Sequence, residues 1–169
     1  MRAALLLAIA LSACDSGDRS GDIHVDPQDH VSFVVPAGFR LIRDRDAWVL
    51  VGEKDLSGFT IAIRSVARSG WSEDRDLDMV ESATEQALRA YPDASLRGPT
   101  RLEDAPYPGF AFDVTFRPRS KKGAAYRRRH ATLISTERVF HVVETWPATR
   151  SEKTRREFQR VLDSVREEG

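Results

Sequence analysis

The segment FAFDVTFR, residues 110–117, alternates apolar and polar side chains along its length. Successive side chains of a β-strand point to opposite faces, so this period of two predicts a strand with one buried face. That face would consist of Phe110, Phe112, Val114 and Phe116. Because a half-buried strand needs partner strands and a covering layer, the segment indicates a sheet that packs against other elements.

Other segments show strand and helix patterns in an order typical of an α+β domain. β-branched and aromatic residues predict further strands at residues 31–36, 47–53, 58–66, 125–135 and 138–146, with weaker candidates at 94–98 and 100–104. Helical spacing of apolar residues predicts one helix at about residues 74–90 and a closing helix after a capping-box pattern at residues 149–152. Short turns between the strands predict a single domain with a mostly antiparallel β-sheet flanked by helices.

Two segments resemble parts of a known family. The strand VSFVVPAGF at residues 31–39, which leads into a Pro-x-Gly-aromatic turn, resembles the opening of PsbP-like domains, and FQRVLDSVR at residues 158–166 resembles their final helix. The resemblance covers about residues 30–167 and implies an α/β/α sandwich. Members include a photosystem II extrinsic subunit, a Ran-binding nuclear-transport factor, adaptors for secreted effectors and many bacterial lipoproteins. Because they share no catalytic motif, the resemblance implies binding and assembly, with no enzyme activity and no cofactor.

The first residues have the plan of a secretory signal. Arg2 gives a positive start, residues 3–11 are apolar, and Ser12 and Ala13 are small. The apolar run is shorter than the ~20 residues that a membrane-spanning helix needs. We therefore expect residues 1–13 to be removed as a signal peptide.

Cys14 is the only cysteine of the chain and directly follows Leu11-Ser12-Ala13. This order resembles a bacterial lipobox, which implies cleavage before Cys14, diacylglycerol on its thiol and an acylated new N-terminus. The alternative is an ordinary cleaved signal followed by an incidental free cysteine. With a single cysteine the domain has no intrachain disulfide, so its hydrophobic core must hold it together.

We expect a flexible acidic tether at residues 14–30 and the PsbP-like α/β domain at residues 31–169. Residues 15–30 contain five Asp and one Arg and few apolar residues, which is typical of a linker. The lipid would hold the domain at the bacterial cell envelope, on the periplasmic or extracytoplasmic face of a membrane. The whole chain has 26 basic and 26 acidic residues, so its charge does not point to nucleic acid.

Residues 117–130, RPRSKKGAAYRRRH, contain seven Lys or Arg and no acid. Strand alternation would place Arg128 on one face and Arg127 and Arg129 on the other. One interpretation is a binding site for lipid headgroups, a phosphorylated envelope polymer or an acidic protein surface. The other is a solvated hairpin tip that prevents edge-to-edge pairing of the sheet. The candidate contact residues are Arg119, Lys121, Lys122, Arg127, Arg128 and Arg129.

Trp71 follows Gly70 in a predicted loop before the first helix. If exposed, Trp71 is a further candidate for partner contact, since Trp is enriched at binding hot spots. The alternative is that it covers the core beneath the helix.

His130 and His141 lie on consecutive predicted strands. A two-residue turn at residues 136–137 pairs His130 with Val143 and makes the two imidazoles diagonal neighbours on one face. Glu144 alternates to the other face. Because a zinc site needs three or four ligands, we expect partly buried, hydrogen-bonded histidines and no metal.

Together these patterns predict a membrane-anchored, non-catalytic lipoprotein that binds a protein or an envelope component as an assembly, stabilising or adaptor factor. One alternative is a small-molecule carrier or hydrolase with a cleft between sheet and helix. It would need polar groups that converge in an apolar pocket, and a deep pocket lined by His130 or His141 would favour it. Another alternative is a passive structural lipoprotein of the envelope.

Overall fold

A computed structural model describes residues 21–68, 73–91, 93–118, 124–150 and 154–169. Within these ranges the chain forms ten strands, two α-helices and a short 3-10 helix at Lys54–Leu56. The helices are α1 (Glu73–Arg89) and α2 (Arg155–Ser164). The strands are β1 (Asp22–Asp26), β2 (Val31–Val35), β3 (Phe39–Asp44), β4 (Ala47–Gly52), β5 (Thr60–Ala67), β6 (Ser95–Arg101), β7 (Gly109–Phe116), β8 (Tyr126–Ile134), β9 (Arg138–Pro147) and β10 (Arg166–Glu167).

Seven strands form the central sheet in the order β3-β4-β5-β9-β8-β7-β6, and every neighbouring pair is antiparallel. A second antiparallel sheet contains β1, β2 and β10, with β2 in the middle. The predicted fold class, a single α+β domain with mostly antiparallel strands, is confirmed.

The central sheet is covered on both faces. On one face α1 packs against the apolar side of β7, and all four residues that the alternation predicted to be buried are buried. On the other face, Phe158 and Val161 of α2 and Phe33 of β2 pack against the sheet. The alternating side chains of β8 and β9 enter both cores, which produces the layered arrangement.

The six strongly predicted strands and the first predicted helix are present, with bounds that differ by no more than two residues. The hairpin of β8 and β9 has the predicted register, in which His130 pairs with Val143. The two weaker candidates form one strand, β6, whose register shifts between Arg97 and Thr100. The sequence did not predict β3, in which arginines interrupt the apolar pattern, or the two-residue β10.

The predicted tether boundary is too late in the chain. Residues 22–26 form β1, which pairs with β2 over its full length. Asp26 closes the β1–β2 turn, because its Oδ1 accepts two backbone N–H groups of that turn and its Oδ2 accepts the indole N–H of Trp48 at 2.9 Å. The ring of His24 also packs edge-on against Trp48, with centroids 4.3 Å apart. These contacts attach β1 to the domain.

The closing helix α2 begins at Arg155, and residues 151–152 of the capping box predicted at residues 149–152 lie outside the described ranges. Thr154 is the residue at the N-cap of α2, and its side chain makes no capping hydrogen bond. The Thr154 hydroxyl instead donates to the fully buried carboxylate of Glu144 on β9. Arg129 approaches the other oxygen of Glu144 at 3.8 Å. Tertiary contact with the sheet, rather than local capping, therefore fixes the start of α2.

Several predictions fall on residues outside the described ranges. These are the signal peptide, Cys14, the tether up to residue 20, Trp71, Arg119, Lys121 and Lys122. Of the two described α-helices, neither has the length and apolar character needed to cross a membrane.

Candidate functional site

A cleft lies between α1 and the central sheet. It has a volume of about 850 Å³ and is lined by side chains of α1, β4, β5, β8 and β9. Small-molecule sites typically have volumes of about 300–1,000 Å³. Val80 and Leu88 pack α1 against the aromatic side chains of β7. On this face of the sheet, the neighbouring strands β5 and β9 line the cleft beside the helix.

Small side chains on both walls keep the cleft open. Ala83 and Ala87 lie one turn apart on α1, and Ala47 and Ala62 come from β4 and β5. A leucine or phenylalanine at these positions would fill the space and close the layer, as the larger residues of β7 do. The cleft therefore offers apolar walls to a ligand.

Four polar side chains cross the sheet wall of the cleft, and we call Arg64, His141, His130 and Arg128 the polar band. Arg64 on β5 is the cross-strand partner of His141 on β9. Nδ1 of His141 lies 3.2 Å from Nε2 of His130 and 3.2 Å from Oγ1 of Thr132. His130 and Arg128 are two residues apart on β8 and share a face. The polar band thus has a guanidinium group at each end and two imidazoles between them.

Both imidazoles of the polar band are neutral at pH 7. Burial lowers the pKa of His130 to about 3, assisted by His141 and by the charge of Arg128. Burial lowers the pKa of His141 to about 4, assisted by the charge of Arg64. A neutral imidazole has one donor and one acceptor nitrogen, so one ring donates to the other. The histidines can therefore give a ligand hydrogen bonds, whereas the positive charge of the band comes from its arginines.

The two arginines are held differently. Nη1 of Arg128 donates to the Tyr91 hydroxyl at 2.6 Å, and its guanidinium lies over the rings of Tyr91 and Phe116. Arg64 pairs with Asp46 at 2.5 Å, and the two side chains are 53% and 62% exposed. An ion pair at such exposure contributes only ~0–1 kcal/mol. Arg128 is fixed by packing, and the partner of Arg64 is easily exchanged.

The described lining of the cleft is mostly apolar, with a few polar side chains. Among the described residues that line it, none is Asp, Glu, Ser or Cys. Among these described lining residues the histidine pair has neither a carboxylate to orient it nor a Ser or Cys nucleophile, and the lining hydroxyl groups are those of Thr84 and Tyr91. Apolar walls with a few placed polar groups are typical of ligand-binding pockets.

The diagonal arrangement of His130 and His141 is the one that their strand register predicted. Within the ranges that the structure describes, no cluster of three or more His, Cys, Asp or Glu side chains could hold a metal ion. Glu144 lies on the opposite face of β9, beneath α2.

The described part of the basic segment alternates along β8. Arg127 is exposed, Arg128 lines the cleft, and Arg129 lies on the opposite face, where its Nε donates to Asp113 at 3.1 Å. The structure therefore separates these three arginines instead of presenting them as one surface. Their contact with a partner stays a prediction.

Sequence reasoning found the two histidines of the polar band but not their connection to Arg64. The connection needs the pairing of β5 with β9, two strands that α1 and three other strands separate along the chain. Nothing local around Arg64 signals it. The alanines of α1 fit the apolar spacing that predicts the helix, and only the position of the helix shows that they border open space.

No protein-family model and no curated protein matches the chain significantly. Solved structures do match its fold. LpqN of Mycobacterium tuberculosis, which is involved in cell envelope biogenesis, has a TM-score of 0.61 at 15% identity, over 89% of this chain and 86% of LpqN. CyanoP, the cyanobacterial PsbP of Synechocystis, has a TM-score of 0.60 at 11% identity, over 93% of this chain and 98% of CyanoP.

Two further structures extend the comparison. The Ran-binding protein Mog1p of Saccharomyces cerevisiae has a TM-score of 0.55 at 11% identity, over 87% of this chain and 96% of Mog1p. A protein from Bacteroides thetaiotaomicron has a TM-score of 0.64 at 14% identity over 89% of this chain, which spans about half (49%) of that longer protein. LpqN, CyanoP and Mog1p are not named for an enzymatic activity. At these identities the similarity concerns the fold, and the chain has the PsbP-like fold that its terminal segments resemble.

Proposed function

We propose that this protein is a non-catalytic binding protein of the bacterial cell envelope that is anchored to a membrane through Cys14. Its ligand would occupy the cleft between α1 and the central sheet. The single observation that carries this proposal is the cleft of about 850 Å³ with apolar walls and the polar band across one side.

Between a small-molecule carrier and a hydrolase, the lining of the cleft favours the carrier. Its apolar walls would exclude water from a ligand, and burial of apolar surface contributes about 25 cal/mol per Å². The polar band would orient one end of the ligand, which is the usual division of roles in such pockets. A neighbour of the same fold, LpqN, is involved in cell envelope biogenesis, which is consistent with this setting.

The anchor rests on the leader sequence. Leu11-Ser12-Ala13-Cys14 follows a short apolar run with a positive start, as in bacterial lipoproteins. Several acyl chains would hold the domain stably on a membrane, because each buried CH₂ contributes ~0.8 kcal/mol. The lipid would supply location and the cleft would supply the ligand contact.

The test is binding of the neutral apolar dye N-phenyl-1-naphthylamine to the full chain carrying Cys14→Ser, so that no attached lipid competes. We expect saturable fluorescence enhancement as the dye leaves water. Ala87→Phe places a ring inside the cleft and should weaken dye binding about tenfold or more through steric exclusion.

The matched control is Gln86→Phe, which adds the same side chain at an exposed position of α1 that does not line the cleft. This variant should bind the dye like the parent protein. Equal binding by all three proteins would place the dye elsewhere and contradict the cleft as the binding site. Absence of saturable binding would favour the passive structural role.

A second candidate is an adaptor that contacts a protein through the basic segment. Arg127 is exposed near the start of β8. Three further candidates precede it in the sequence by a few residues: Arg119, Lys121 and Lys122. The remaining candidate, Trp71, precedes α1. A neighbour of the same fold, Mog1p, is a Ran-binding protein. This contact would not use the cleft, so Ala87→Phe would leave it unchanged whereas Arg127→Glu would weaken it.

A further inference from the structure

The lining of the cleft is specific enough to indicate the chemical class of its ligand, an inference that rests on the proposed binding function. Every charged side chain among the described lining residues is an arginine: Arg64, Arg68 and Arg128. Arg64 and Arg128 belong to the polar band, and their positive charge favours a ligand with a negative charge.

Apart from Arg68, Thr84 and Tyr91, the described lining outside the polar band is apolar. Ala83 and Ala87 lie on α1, Ala90 is the residue after it, and Val66 and Met79 border the opening. Val66 and Met79 are 37% and 50% exposed, although both are large apolar residues. An apolar chain lying along α1 would cover them and remove this surface from water.

Arg68 contributes positive charge near the turn of the hairpin. Its Nη1 donates to the carbonyl oxygens of Ser135 at 2.7 Å and Thr136 at 3.4 Å. These contacts fix Arg68 to the backbone of the turn, whereas the polar band combines two guanidinium groups with the hydrogen-bond donors of the imidazoles.

Arg64 already binds a carboxylate. Its Nη2 lies 2.5 Å from Oδ2 of Asp46, which is the residue before β4 and is 62% exposed. A guanidinium group matches the two oxygens of a carboxylate, and the Asp46 carboxylate can leave for solvent at little cost. A ligand carboxylate could therefore replace that of Asp46 on Arg64 while its chain enters the cleft.

We infer that the cleft binds a single-chain, long-chain fatty acid, with its carboxylate on the polar band and its acyl chain along the alanine face of α1. Arg64 and Arg128 supply the positive charge. The neutral imidazoles of His130 and His141 between them supply a hydrogen bond without a second charge that would need to be removed from water.

The experiment displaces bound N-phenyl-1-naphthylamine from the full chain carrying Cys14→Ser with dodecanoate or with 1-dodecanol. The two ligands share a chain length and differ in the charge of the head. We expect dodecanoate to displace the dye at a concentration about 10–100-fold lower than 1-dodecanol, the effect of a charge-assisted hydrogen bond. High salt should reduce this difference, because it screens the partly exposed arginines.

Two substitutions at this end of the polar band should change dodecanoate affinity in opposite directions. Arg64→Gln should weaken dodecanoate binding about tenfold and leave 1-dodecanol unchanged. Asp46→Asn removes the internal competitor for Arg64 and should strengthen dodecanoate binding several-fold. The matched control is Arg40→Gln on β3, since Arg40 is also exposed and pairs with an acid, Glu53, but does not line the cleft.

Arg128→Lys complements these variants, because it keeps the charge and is less disruptive to the Tyr91 contact than a neutral residue. It should weaken dodecanoate binding less than Arg64→Gln does. Together with Asp46→Asn, which changes only an exposed side chain, it keeps the test informative if a neutral substitution impairs folding.

The possible outcomes separate this inference from the proposed function. Equal binding of dodecanoate and 1-dodecanol, unchanged by Arg64→Gln and Asp46→Asn, would overturn the fatty-acid assignment and leave the cleft as an apolar site. Failure of both ligands to displace the dye, with no effect of Ala87→Phe on dye binding, would overturn the binding function itself.

Discussion

At the scale of residues, the two faces of β9 hold polar groups in different ways. On the α1 face, His141 and His130 bond to each other and remain neutral because burial opposes their charged forms. On the α2 face, Glu144 is fully buried and accepts the Thr154 hydroxyl, with Arg129 nearby. A buried polar group is costly unless it is hydrogen-bonded, so each set restricts which side chains these positions tolerate.

The histidine pair predicts how stability depends on pH. The folded protein keeps both imidazoles neutral down to a pKa of about 3 for His130 and about 4 for His141, whereas the unfolded chain protonates them near 6.5. Acidification therefore favours the unfolded state. The contribution is fully present above pH 6.5 and is lost as the pH falls toward 4 and 3. At pH 5 each histidine should cost about 2 kcal/mol of unfolding free energy relative to pH 7.

Urea denaturation at pH 7 and pH 5 measures this effect. The parent protein should lose about 4 kcal/mol more than the double variant His130→Gln/His141→Gln over this interval. Other titrating groups, including His24 whose pKa burial also lowers, act in both proteins and cancel. An equal loss in the two proteins would mean that these imidazoles are not buried in their neutral forms.

At the scale of elements, β1 and α1 show how side-chain contacts give a segment its structural role. β1 has an unremarkable sequence, DIHVD, and exposes Ile23 and Val25. The Asp26 carboxylate at its end fixes the turn into β2. Burial raises the pKa of Asp26, but hydrogen bonds from the backbone of Asp29 and Gln28, with the indole of Trp48 and the charge of Arg43, outweigh burial and lower it.

Asp26→Ala should loosen β1 from the domain. Removing an acceptor of several hydrogen bonds should cost about 1–3 kcal/mol of unfolding free energy and speed hydrogen exchange of the β1 amides. Both are measurable, by urea denaturation and by hydrogen–deuterium exchange. The matched control is Asp22→Ala at the exposed start of the same strand, which should change stability by less than about 0.5 kcal/mol. Equal effects of the two substitutions would show that the Asp26 contacts do not hold β1.

At the scale of the whole molecule, location and ligand binding would come from different parts of the chain. The proposed lipid site, Cys14, lies a few residues before β1, whereas the cleft lies under α1 on the opposite side of the central sheet from β1 and β2. This arrangement would leave the cleft accessible when the N-terminus is held at a membrane.

Cys14→Ser should release the protein from the membrane in a bacterium that processes lipoproteins. The acyl chains supply nearly all of the expected membrane affinity, at ~0.8 kcal/mol per buried CH₂. Fractionation and metabolic labelling with a fatty acid should therefore show a labelled membrane protein for the parent sequence and an unlabelled soluble one for the variant.

The matched control moves the thiol: Cys14→Ser/Ser20→Cys restores a cysteine without the preceding Leu-Ser-Ala and should also be unlabelled. Membrane retention of Cys14→Ser, with no loss of label, would contradict lipid attachment at this residue.

Elements with a local signal follow from the amino-acid sequence alone. The period of two in residues 110–117 and the apolar strands around Leu50, Ile61 and Phe140 have one stable solution, a sheet with buried faces. The register of the β8–β9 hairpin also followed locally, because a two-residue turn leaves one alignment. These signals were enough for the fold class and for the shared face of His130 and His141.

Features that depend on distant segments of the chain become visible in the three-dimensional packing. The start of α2 depends on the hydrogen bond from the Thr154 hydroxyl to Glu144 on β9. The attachment of β1 to the domain depends on the hydrogen bond from the Trp48 indole to Asp26. The cleft depends on where α1 rests over the sheet, and the polar band on β5 pairing with β9 so that Arg64 meets His141. Sequence patterns report whether a side chain is buried, but packing between layers determines which side chains meet and where space remains.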